Sequence, residues 1–196
     1  MFRQPTVESS VIFYGVINVT ANPNDSVMQR YFAGLAESTF QMELGVADPL
    51  MVDYISHLLI RFVRNDVMHC MRSVNGRPIM SVPEMVSEAS ARLGDAKRKL
   101  HQHIGDFTLF WAGVYPEALR KPDERTGSDQ FESYCAHGRR AYRIASSIET
   151  SDDQATNPEV LERLSEQFDL CCFGLREVRR QWEEGDGMGS GPILLN

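Results

Sequence analysis

Residues 104–114 read Ile-Gly-Asp-Phe-Thr-Leu-Phe-Trp-Ala-Gly-Val, and this run constrains what the chain can fold into more than any other. At helical spacing Leu93, Ala96, Leu100, Ile104, Phe107, Trp111 and Val114 form an apolar stripe, with Lys99, His103, Asp106 and Phe110 in a row on its flank. Around Asp106 the neighbours are apolar or small on almost every side, including Gly105, Leu109, Ala112 and Gly113. A helix apolar all round is a buried helix. Residues 95–114 are therefore expected to run through the middle of a helical bundle, carrying a carboxylate inside it. Burying a charge is costly unless it is paired and hydrogen-bonded, so Asp106 needs a partner or a proton. The candidate partners are His103 on the same helix and Arg139 on a later one.

Five or six helices are expected in all, in an all-α bundle. Asp25 and Ser26 can cap a first helix through Met28, Tyr31, Phe32, Leu35, Thr39 and Met42 that ends near Gly45. Asp48 before Pro49 is an N-cap with proline at the first helical position, opening a second helix through Met51, Ile55, Leu58, Leu59 and Phe62 to about Val67. Ser81 and Glu84 match a capping box, so another helix starts at about Val82 and either breaks near Gly94 or continues into the central one. Phe131, Tyr134, Gly138, Ala141, Ala145 and Ile148 then alternate by three and four, and the three small members let a neighbouring helix come close. Asn157 before Pro158 caps a last long helix through Leu161, Leu164, Phe168, Cys171, Leu175, Val178 and Trp182. Residues 1–182 form one domain, in which 1–24 are a short extended arm. Residues 183–196, rich in glycine, form a flexible tail.

Charge and cysteine usage narrow the functional classes. The 20 Lys and Arg against 27 Asp and Glu give a net charge of -7, which disfavours nucleic acid and anionic membranes as partners. The apolar run at residues 11–19 is far shorter than the about 20 residues that span a bilayer, and it lacks a basic start and a clean cleavage site. Cys70, Cys135, Cys171 and Cys172 make no C-x-x-C pair and no zinc-finger spacing, and are expected as reduced thiols in the cytoplasm.

Three carboxylate and histidine pairs fall at helical spacing: Asp53 with His57, Asp66 with His69, and His103 with Asp106. Asp53, His57, Arg61 and Arg64 cluster opposite the apolar stripe of their helix and are expected to face water, and Asp66 and His69 lie where that helix ends. Only the third pair turns inward. No Glu-x-x-His of a di-iron bundle, no Gly-x-Ser-x-Gly and no phosphate loop occurs. What is left is a candidate binding cluster of His103, Asp106 and Arg139, with no catalytic residue, no metal set and no cofactor implied. The expected function is that of a non-enzymatic helical interaction or scaffold protein, with a protein partner or a second copy of itself. The alternative is a bundle that binds a metal or small ligand near His103 and Asp106, with His101 or Glu117 as further donors.

Residues 105–117 spell Gly-Asp-x-x-Leu-Phe-x-x-Gly-x-x-Pro-Glu, and Tyr134 is followed by Gly138-Arg139-Arg140-Ala141-Tyr142. With these two elements the chain resembles a group of uncharacterised bacterial helical proteins over roughly residues 48–182. The resemblance implies the helical fold and a bacterial cytoplasmic setting, and it implies no activity. It also pairs the Gly-Asp element with the Gly-Arg element, consistent with Asp106 meeting Arg139 across a close helix contact.

Overall fold

A computed structural model describes residues 23–63, 81–120 and 130–186, and every regular element among them is helical. They are α1 (Pro23–Glu37), which runs on into a π-helical turn (Ser38–Glu43), α2 (Pro49–Val63), α3 (Val82–Ser90), α4 (Gly94–Val114), α5 (Pro116–Leu119), α6 (Gln130–Ser147), α7 (Pro158–Glu166) and α8 (Phe168–Asp186). The described residues thus hold eight α-helices where five or six were expected. The N-terminal arm and the glycine-rich end lie outside the described residues.

Three of the caps read from sequence form as expected, while the cap read at Asp25 and Ser26 is corrected, since α1 already starts at Pro23. Asp48 accepts from the Met51 amide at 3.2 Å, Ser81 from the Glu84 amide at 3.4 Å and Asn157 from the Glu159 amide at 2.9 Å. Each satisfies one of the amides that a helix start leaves without a partner. Gly94 takes a φ of 52° between α3 and α4, so the chain turns a corner there and the two helices are separate.

The additional elements have identifiable causes. Pro116 starts one short helix immediately after α4, and Arg179 of α8 holds that corner by donating to the Val114 carbonyl at 2.6 Å and pairing with Glu117. The last helix bends at Gln167 (φ -103°, ψ 24°), where the backbone bonds from Gln167 to Arg163 and from Cys171 to Gln167 carry on across the bend. The apolar rhythm keeps its phase through that bend, which is why the sequence reads as one helix. At the other end α8 outlasts Trp182 by four residues, and the expected start of the tail at residue 183 is corrected to a helix ending at Asp186. Arg179 with Glu183 and Arg180 with Glu184 are i,i+4 pairs that support this last turn, and Trp182 meets Phe32 of α1 edge to face.

Buried α4 lies at the centre, packed on α6 and α8 and flanked by α3 and α2, while α1 lies along α2 and α7 along α6. Missing side chains set the closest approaches. A Cβ at Gly138 of α6 would stand 2.4 Å from the Phe168 ring and 2.5 Å from the Thr108 hydroxyl. One at Gly105 of α4 would stand 2.6 Å from the Tyr142 ring. Gly138→Ala is accordingly expected to destabilise the protein by about 1–3 kcal/mol in urea unfolding, the usual range for overpacking. Gly34 of α1, where a Cβ meets nothing within 4 Å, makes the control. Gly34→Ala should be neutral or stabilising by up to about 1 kcal/mol, and equal losses at the two sites would refute the close-contact account.

Candidate functional site

Asp106 is fully buried on α4, and three side chains from two other helices converge on it. Tyr54 of α2 donates its hydroxyl to Oδ1 at 2.6 Å, Tyr142 of α6 donates to the same oxygen at 2.8 Å, and the Arg61 guanidinium of α2 donates to Oδ2 at 3.1 Å. The expectation of a buried, ion-paired Asp106 therefore holds, with the partner corrected. Arg61 takes the place proposed for Arg139, and no hydrogen bond joins His103 to the carboxylate.

Helix geometry explains the exchange. On α6, Gly138, Ala141, Tyr142 and Ala145 share the buried face, and position 139 is turned about 100° from Gly138. Arg139 is exposed there and pairs with Asp169 at 3.3 Å, so it is no part of the site. On α2, Tyr54 and Arg61 are seven residues apart, which returns them to within about 20° of each other. Arg61 stands at the border between the wet and dry faces. Asp53 and His57 face water as expected, with side chains 69% and 58% exposed, but the Arg61 stem reaches inward and its guanidinium lies 5.8 Å from the Tyr54 ring.

Each titratable group in this core is held in its neutral or paired form. Burial, reinforced by the Asp106 charge, raises both Tyr54 and Tyr142 well above the usual phenol value, so both remain hydroxyl donors. His103 is buried against Phe107 with ring centroids 6.4 Å apart. Burial, opposed by the Asp106 charge and aided by that of Arg61, lowers it to about 4, and the imidazole is neutral at physiological pH. His101 is likewise lowered to about 4, by burial and by the nearby charges of Lys97 and Arg140.

Outward from Asp106 the network opens into a cleft that sequence reasoning did not find. Gln102 of α4 donates to the Tyr54 hydroxyl at 3.1 Å and to the Thr156 hydroxyl at 2.9 Å. Arg98, almost fully buried, donates to the Thr156 carbonyl, and Lys99 pairs with Asp152 at 3.1 Å. These bonds pin the segment before α7 onto α4. Two cavities of about 410 and 220 Å³ share Arg61, Gln102 and Thr156 as lining. The larger is faced by Leu50, Tyr54 and Val160 with His57 at its edge, the smaller by Arg98, Lys99 and Asp152. The one available signal was the spacing of Tyr54 and Arg61; nothing local announces that a loop fifty residues away closes over Gln102.

Among the described residues no three His, Cys, Asp or Glu side chains gather so as to hold a metal ion. His101 opens on a different cavity, Glu117 is engaged by Arg179, and the Asp106 oxygens are committed. The described cysteines are free buried thiols, and burial pushes Cys171 up to about 12.

The fold and site together define an all-α bundle built around one buried, triply hydrogen-bonded carboxylate. Compared with protein-family models, curated proteins and solved structures, the chain matches none of them. No helix among the described residues is long and apolar enough to cross a membrane.

Removing one member of a buried pair strands the other, at a cost of about 3–5 kcal/mol, whereas an exposed pair is worth about 0–1. Asp106→Ala should lower the unfolding free energy by the larger amount and Asp53→Ala by no more than the smaller; matching losses would refute the buried pair. A separate outcome concerns acid. Histidine in the unfolded chain titrates near 6.5, while folded His101 and His103 titrate at about 4. The unfolded state therefore binds more protons between these values, so the stability due to neutral burial is complete above pH 6.5 and is lost as pH falls toward 4. His103→Gln should flatten that slope in denaturation at stepped pH.

Proposed function

We propose that this protein is a non-enzymatic helical bundle that holds a small polar ligand in the cleft beside Asp106. What carries the reading is a single arrangement: the outer members of a rigid buried network, Arg61 and Gln102, are also the wall shared by two adjoining cavities. A ligand there would meet a guanidinium, an amide and the Lys99 ammonium above an apolar floor of Leu50 and Val160. Preformed pockets with a few fixed polar groups on an apolar base are the usual form of a small-molecule site. Arg61, Arg98 and Lys99 line the two cavities against Asp53 and Asp152, and this small excess of cations favours a ligand with negative charge, such as a carboxylate. The metal form of the reading has no comparable support. Catalysis has little either, since the phenols stay protonated, both buried imidazoles stay neutral and the described thiols lie in the core. The resemblance to bacterial helical proteins and the thiol state of the cysteines favour the cytoplasm of a bacterium as its setting.

A second reading, that of an interaction or scaffold protein, is favoured by large apolar side chains left in water: Met42 is 84% exposed and Leu93 85%. Leu93, expected on the buried stripe, instead stands at the corner before α4. Light scattering decides this reading, and a strict monomer without co-purifying protein ends it.

The cleft is tested by titrating a panel of small carboxylates and phosphates with calorimetric detection. Saturable binding by at least one is expected, with Lys99→Gln and Gln102→Ala each weakening it about tenfold, as loss of one hydrogen bond to a charged group should. Binding that is unchanged in both variants, or absent across the panel, sinks the proposal.

A further inference from the structure

A separate cavity of about 240 Å³ lies between α3, α4 and α6, on another side of α4 from the cleft. Two full positive charges line it, Lys97 from α4 and Arg140 from α6, with His101 and His137 beside them. No carboxylate of the described residues lines it. Among the described residues neither Lys97 nor Arg140 makes an ion pair, in a chain whose acidic residues outnumber its basic ones by 27 to 20. Arg140 is exposed and Lys97 half-buried, and both face the cavity with no carboxylate of the described residues paired to them.

His101 supplies an independent sign of a missing group. Its side chain is buried, with the residue 5% exposed, and its Nδ1 is enclosed with no hydrogen-bond partner. A buried polar atom without a partner costs about 1–3 kcal/mol, so such atoms are rare and call for an explanation. An anion in this cavity would offset the repulsion between Lys97 and Arg140, and a turn of the imidazole ring toward it would give Nδ1 the acceptor that its enclosed position lacks. Val86, Ala141 and Ile144 add apolar surface to the lining. The space exceeds what one inorganic oxyanion fills, and its apolar side suits a carbon skeleton.

We infer that this cavity binds a small organic anion, a carboxylate or a phosphate ester with an apolar body, through Lys97, Arg140 and His101. The groups facing His101 are Lys97 from its own helix and His137 and Arg140 from α6, while α3 offers only Val86 and the Ser90 hydroxyl, which donates to the Val86 carbonyl. Every charge of the described residues that His101 meets is positive, so a bound anion raises its affinity for a proton. Binding is then accompanied by proton uptake and tightens as pH falls from 7 toward 5.

The test uses butyrate as the carboxylate and phenyl phosphate as the phosphate ester, each titrated into the full-length protein while the histidine ring resonances are followed by NMR. The expected result is a saturable shift of the His101 signals with one of the two anions, which identifies the headgroup class. Arg140→Gln and Lys97→Gln each weaken that binding about tenfold and leave the melting temperature of the free protein unchanged or raised, because each removes a like-charge neighbour. Calorimetry in two buffers of different ionisation enthalpy shows the proton uptake. Gln102→Ala, in the cleft on the other side of α4, leaves the shift intact. The inference is overturned if neither anion moves the His101 signals, or if both charge variants bind as the parent does.

Discussion

The bundle is organised around the need to keep the Asp106 carboxylate out of water. Moving a charge of this kind into a protein interior costs several kcal/mol, and three hydrogen bonds to a charged group, at about 1.5–3 kcal/mol each, are of the size needed to offset it. The near balance means that the cluster adds little to net stability. Its effect is on geometry: the carboxylate is satisfied only when α2 presents Tyr54 and Arg61, and α6 presents Tyr142, at one height along α4. A slip of either helix by one turn would leave an uncompensated charge in the core. A single buried polar group fixes register in coiled coils by the same logic.

The close contact between α4 and α6 is what makes that arrangement possible. The Tyr142 ring lies against the bare Cα of Gly105, and its hydroxyl reaches the very next residue, Asp106. Adjacent residues thus supply the seat for a ring and the acceptor for its hydroxyl. Four residues before Tyr142, Gly138 gives the same clearance to Phe168 and Thr108. Two glycines bring the backbones together, and the phenol then spans the gap with no room to spare. The two sequence elements at residues 105–117 and 138–142 thus meet across one helix contact, and since Gly113 admits Leu175 and Glu117 meets Arg179, the first of them also locks onto α8.

Much of this was legible in the sequence because it is written locally. Capping residues, apolar rhythm and the small-residue stripe marked the course of the main helices, and an all-round apolar environment gave away Asp106. Its partners were illegible for a geometric reason. The Gly-Asp element does face the Gly-Arg element, but one residue's turn on a helix is about 100°, so the tyrosine at the end of that element points inward and the arginine within it points out. Arg61 was assigned to water with Asp53 and His57 because three- and four-residue spacing records where a Cβ points. A long arginine at the border of a face can deliver its charge far from its Cβ. Arg98 gave no signal of its own, a cation between two lysines, yet α4 buries it along with His101 in its less enclosed first half.

That first half breaks a local rule. The N-terminal end of a helix carries partial positive charge and favours acidic side chains, yet α4 places Lys97, Arg98 and Lys99 in succession close to it, with only Asp95 in its first turn. Asp152 answers Lys99 from a neighbouring loop, and the Thr156 carbonyl answers Arg98. Lys97 makes no ion pair among the described residues, and it lines the cavity that Arg140 and His101 also line. Departures from local preference that the fold does not compensate tend to mark functional positions, because stability alone would not retain them. On α4 the departure is concentrated in three consecutive residues that fan out around the helix axis. Arg98 and Lys99 turn to the cleft beside Asp106 and Lys97 to the cavity beside His101, so both proposed sites draw on the cationic start of the central helix, while its apolar remainder packs the core.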